Sequence, residues 1–127
     1  LYLRSPSTMM SALHDACRAG DTERVRQLLD KGAAAYVDEK NKVGWTALRW
    51  ASTMGHTEVV RLLLDKGAAV DVKDEDGRTA LMWASTMGHT EVVRLLLDKG
   101  AAVDEKDNYG MTALMLASLH GHTEVVR

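Results

Sequence analysis

The chain has 127 residues, 46% of them hydrophobic and 27% charged, with 16 basic and 18 acidic side chains and a net charge of -2. That size and balance fit one globular domain and exclude a disordered chain, a strongly basic nucleic-acid binder and any membrane-spanning run of ~18 apolar residues. A lone cysteine, Cys17, excludes an internal disulfide and a cysteine-rich zinc site, and ten glycines against one proline suggest glycine placed by a rule.

Residues 1–8 (LYLRSPST) lack the roughly 7–15-residue apolar stretch of a signal peptide and read as a flexible lead-in. A start at Leu1 rather than Met predicts a fragment or cropped domain, unless Met9 or Met10 is the true start. The unpaired thiol and the missing export signal predict an intracellular setting, cytoplasm or nucleus.

Beyond the lead-in the glycines set a period. Gly44, Gly77 and Gly110 stand 33 apart, as do Gly55, Gly88 and Gly121, and as do Gly67 and Gly100. Residues 50–71 and 83–104 spell the same 22 letters, WASTMGHTEVVRLLLDKGAAVD. Such self-similarity is the mark of a repeat array. Upstream, 12–32 is a diverged copy, with Leu13, Gly20 and Gly32 each 35 residues before Leu48, Gly55 and Gly67. The two extra residues fall in the loop 33–43. Downstream, HTEVVR at 122–127 opens another second half. The chain therefore divides into repeats at about 9–40, 41–73, 74–106 and 107–127, the last incomplete.

Within a unit, Asp74 and Gly77 occupy the first and fourth places of a type I turn, and Asn41…Gly44 and Asp107…Gly110 repeat the pattern. Thr79 is then the N-cap of a short first helix that stops near Gly88; Thr46, Thr112 and Ser11 hold the same place. The second helix spans 90–99, with Val92, Val93, Leu95, Leu96 and Leu97 forming one apolar face. Glu91, Arg94 and Asp98 form a solvated face, and Lys99 and Gly100 suit its end. Helices this short are marginal alone in water. Each pair must bury its face on a neighbour, giving an all-α open stack of antiparallel helix pairs with turns projecting from one edge.

The turn Asp-x-x-Gly-x-Thr, the helix start Thr-Ala-Leu, the Gly-His-Thr-Glu-Val-Val stretch and Leu-Leu-Leu-Asp-Lys-Gly-Ala together resemble the ankyrin repeat over residues 11–127. The departures are local. The family's proline at the helix start is Ala12, Ala47, Ala80 and Ala113 here. Its following histidine survives only as His14 and is otherwise Arg49, Met82 and Met115, and its asparagine after Ala-x-Val is Asp71 and Asp104. Asp21 replaces the histidine found at His56, His89 and His122, and the first repeat lacks a glycine turn, as in an N-terminal cap. At the other end no cap is legible, so 111–127 should expose apolar surface and fray unless further chain continues the array.

The resemblance implies an ankyrin-repeat solenoid with projecting β-turn or hairpin loops. It also implies a non-catalytic protein–protein interaction module that holds its partner on the turn tips and first-helix ends. Carried onto this sequence, those positions are Lys42, Val43, Trp45, Thr53 and Met54, then Glu75, Asp76, Arg78, Thr86 and Met87, then Asn108, Tyr109, Met111, Leu119 and His120. They vary between copies while the scaffold is constant. Trp45 and Tyr109 are of the aromatic types enriched at hot spots, and Met54, Met87 and Met111 can adapt to irregular surfaces. Trp45 reads as an exposed tryptophan on a turn tip. The expected partner is a protein, with no nucleic acid, membrane, cofactor or metal, and the expected state is a monomer. The alternative is a structural spacer or targeting segment of a larger enzyme or channel.

Other chemistry is discounted. Cys17 and His14 lie i,i+3, but no third orienting group accompanies them. His56, His89 and His122 recur once per repeat, and stacked helices ~8–10 Å apart cannot bring two of them to one metal; they read as structural. His120 with His122 makes at most a weak surface pair. Trp50 and Trp83 read as core or edge packing. Lys42, Lys73, Arg78 and Lys106 along the turn edge are interrupted by Asp74, Glu75, Asp76, Asp104, Glu105 and Asp107, which breaks up a phosphate-tracking stripe.

Overall fold

A computed structural model describes residues 6–127. In chain order these form α1 (Pro6–Ala19), α2 (Thr22–Asp30), a 3-10 turn (Ala33–Tyr36), α3 (Ala47–Met54), α4 (Thr57–Asp65), α5 (Ala80–Met87), α6 (Thr90–Asp98), α7 (Ala113–Leu119) and α8 (Thr123–Val126). The described residues contain no strand. α1, α3, α5 and α7 stack as one row and α2, α4, α6 and α8 as a second, with the first row packed more extensively along the stack.

The local chemistry follows the repeat. Thr46, Thr79 and Thr112 each accept the N–H three residues on, capping α3, α5 and α7. α3 and α5 end on Gly55 and Gly88 in the left-handed conformation, at φ 73° and 75°. The turns are closed fingers. Asn41, Asp74 and Asp107 each donate their N–H to the carbonyl four residues on and accept the N–H of Gly44, Gly77 and Gly110. Their side-chain Oδ1 also accepts two finger N–H groups each. These fingers are the projecting loops expected of the stack.

The first repeat departs from the sequence reading. α1 starts at Pro6, so residues 6–8 of the expected lead-in are helical and Ser11 is an exposed mid-helix residue, not an N-cap. Residues 1–5 lie outside the described residues. Proline suits a first helical position, and no glycine interrupts the segment. Met9 is buried in the core beside Gly32, which anchors the added turn. The longer loop 33–43 coils into the 3-10 turn and buries Ala33 and Val37.

One apolar core runs the length of the stack, through Leu13, Leu28, Leu48, Leu63, Leu96 and Leu116. Its dependence on neighbours is visible at matched positions. Leu81 and Met82 are 2% and 1% exposed beneath the next repeat, whereas Leu114 and Met115 in the last repeat are 55% and 47% exposed.

Candidate functional site

The finger row and the first-helix row form two arms of one face, joined through Asp74, Trp83 and Arg49, and a cavity opens between the first finger and α1, lined by Met10, His14, Lys42, Val43 and Trp50. Lys42, Val43, Glu75, Asp76, Asn108 and Tyr109 are exposed at the finger tips. Adjacent fingers are tied together. Asn108 donates its backbone N–H to the Asp76 carbonyl and its side-chain amide to the Glu75 carbonyl, at 3.0 and 2.9 Å. Lys40 donates to the Lys73 carbonyl at 2.9 Å, and Lys73 pairs with Glu105 at 2.8 Å. On the helix arm Met54, Met87, Leu119 and His120 are exposed.

The floor between the arms is a layered array of aromatic rings and guanidinium groups. The Arg49 guanidinium lies between Trp45 and Trp83, 3.5 and 4.2 Å from their centroids. Trp45 also meets Trp50 edge-on at 4.5 Å, and Arg18 lies over Trp50 at 5.5 Å. Arg78 sits over Trp83 at 4.9 Å and donates through Nε to Asp107 Oδ2 at 3.1 Å. Asp74 Oδ2 accepts the Trp83 indole N–H at 2.7 Å and lies 3.6 Å from Arg49 Nε. Stacked cations and rings attract one another electrostatically. Burial lowers the Arg49 pKa, Asp74 pushes it back up, and the group stays charged. At Asp107 burial pushes the carboxyl up, but the N–H groups of Met111 and Tyr109 and the Arg78 guanidinium outweigh it and hold the pKa below its ordinary value.

The expected contact residues fall into three sets of five, two exposed and one half-buried. Val43, Met54, Met87, Tyr109 and Leu119 present apolar or aromatic surface, with Tyr109 81% and Leu119 69% exposed. Lys42, Glu75, Asp76, Asn108 and His120 present polar surface. Trp45 does not stand exposed on a tip: it is half-buried, because Arg49 and Trp50 cover it. Arg78 and Met111, at the same place in later repeats, are likewise half-buried. Thr53 and Thr86 are half-buried too. The Thr53 hydroxyl donates to the Arg49 carbonyl at 2.8 Å. The array through Arg49, Asp74 and Trp83 is absent from the sequence reading. Its signal was present in a cation at a position held by methionine in later repeats, beside tryptophans one repeat apart.

The histidines are committed to the stack. His56, His89 and His122 each donate through Nε2 to a carbonyl of the preceding repeat, those of Arg18, Thr53 and Thr86, at 3.0, 2.9 and 2.9 Å. The His120 and His122 rings stack with centroids 6.3 Å apart. Among the described residues no three His, Cys, Asp or Glu side chains gather as a metal would require. Cys17 is buried, and burial pushes its thiol up to about 12, the reverse of an activated nucleophile. His14 bonds the Glu39 carbonyl through Nε2 at 3.2 Å rather than the thiol. Among the described residues no helix is long and apolar enough to cross a membrane.

No curated protein matches the chain. A family model described as ankyrin repeats (3 copies) matches residues 3–74 and again 66–127. Members of that family generally serve as protein–protein interaction modules. With matches over almost the whole sequence, and with capped helix pairs and bonded fingers at a 33-residue period, the chain belongs to the ankyrin repeat family.

Proposed function

We propose that the chain is a non-catalytic module that holds a protein partner in the groove between its fingers and its first helices. The observation that carries this reading is the separation of roles along that face. Trp45, Arg49, Asp74, Trp83, Arg78 and Asp107 brace it from repeat to repeat. Val43, Met54, Met87, Tyr109 and Leu119 stand out from the brace with exposed apolar surface. A surface already braced loses little conformational entropy on binding.

The test separates contact from support. Tyr109→Ala and Met87→Ala should each weaken capture of a purified partner about tenfold, as hot-spot truncations do, with unchanged helical circular dichroism. Equal affinity of both variants and the parent would refute the groove. Trp45→Ala is the wrong probe, because it removes part of the brace and lowers stability as well.

A further inference from the structure

If the groove is the contact surface, as proposed above, its charge and spacing specify the partner. The arginines on its floor are already engaged: Arg49 with Asp74, Arg78 with Asp107 and Arg18 with Asp15. Glu75 and Asp76, exposed at the tip of the middle finger, have no cation within ion-pair distance among the described residues. The centre of the groove therefore carries two carboxylates with no direct ion pair, Asp76 acting only at longer range on Arg49, and Lys42 on the first finger is the cation at one end.

The helix arm supplies the spacing. Met54 and Met87 hold the same place in successive repeats, and Leu119 stands beside that place in the next one. All three are exposed. First helices stack ~8–10 Å apart. Seven residues of α-helix advance about 10.5 Å and return to nearly the same face. An extended strand returns to one face every ~6.6–6.8 Å and falls out of step.

We propose that the groove takes a basic amphipathic helix of a partner protein, laid along the stack. Its apolar residues at seven-residue spacing seat on Met54, Met87 and Leu119. Its Lys or Arg side chains face Glu75 and Asp76, and Lys42 disfavours a further cation at the first finger, which sets the helix direction.

The test uses the full chain and synthetic 22-residue alanine-rich peptides with leucine at every seventh position, flanked by lysine in one and by glutamate in the other. A third lysine peptide carries its leucines at every fifth position. The seven-spaced lysine peptide should bind about tenfold tighter than the other two in low salt, with the advantage over glutamate shrinking in high salt. The double variant E75K/D76K, altered only at an exposed tip, should reverse the charge preference. A preference that E75K/D76K leaves unchanged, or equal binding at both leucine spacings, overturns the inference. The two readings also fail differently. Partner capture weakened by Met87→Ala but untouched by E75K/D76K removes the basic helix and keeps the groove; capture untouched by either removes both.

Discussion

One position in the fingers shows how a single atom can link repeats. Asn41, Asp74 and Asp107 are equivalent, and each uses Oδ1 to accept two N–H groups of its own finger. An amide does that as well as a carboxylate. The second oxygen distinguishes them: Asp74 Oδ2 takes the Trp83 indole and faces Arg49, and Asp107 Oδ2 takes Arg78. Asp74→Asn should therefore destabilise by about 3 kcal/mol, because it points a donor at an indole N–H and leaves the buried Arg49 without its counter-charge. Asn41→Asp should change stability by less than ~0.5 kcal/mol, as surface substitutions usually do. Paired urea titrations of the two variants check the contrast.

His14 adds a pH dependence. Burial lowers its pKa, against opposing pushes from the Glu39 carbonyl and the Asp15 charge. A histidine whose folded value lies below its unfolded value of about 6.5 binds fewer protons folded than unfolded between the two values. The stability it supports is complete above the unfolded value and is lost as pH falls toward the folded one. His14→Phe should flatten the stability profile in that window, and denaturation midpoints across it against the parent measure the change.

At the scale of elements, the recurring lock is a ring over a glycine. The His89 ring sits where a Cβ on Gly55 would lie, 2.6 Å from Nδ1, and Gly20 and Gly88 meet His56 and His122 in the same way. Gly55 also holds φ 73°, a conformation that costs a side-chain-bearing residue roughly 1–2 kcal/mol. Gly55→Ala should thus cost about 2 kcal/mol or more, and His89→Ala about 1–2 kcal/mol for the lost bond to the Thr53 carbonyl. The double variant should cost less than the sum, since removing the ring relieves the clash; a chemical-denaturation double-mutant cycle reads the difference.

These elements were legible in the sequence because capping threonines, terminal glycines and apolar periodicity act over a few residues. The start of α1 was not. Ser11 has the right type for a cap, but the helix begins earlier, at Pro6, with Met9 buried, and that burial involves chain brought alongside at Gly32. The groove was legible as a set of positions rather than as roles. Trp45 could be placed on a finger, but whether it faces solvent depends on Arg49 and Trp50, and composition does not fix where their rings lie.

At the scale of the whole molecule, stability is shared between neighbours. No helix pair owns its core, as the contrast between Leu81 and Leu114 shows. Each contact is therefore local along the stack, and the array adds stability repeat by repeat. The same construction makes identical segments competitors for one another. Residues 45–71 and 78–104 differ only at Trp45 against Arg78 and Arg49 against Met82. Making residues 45–71 identical to 78–104 with W45R/R49M should raise the dimer fraction formed on refolding at high concentration, measured by size-exclusion chromatography. An elution profile matching the parent would show that alignment is set elsewhere.

The sandwich of Arg49 between two tryptophans thus has a consequence for assembly. A strand of interchangeable parts can be threaded one unit out of step, or lend a unit to another molecule, with little loss of buried area. Only in the native threading does a lone guanidinium find a ring on either side and a carboxylate at its edge. Two odd residues out of 27 then act as a key that tells one copy from the next.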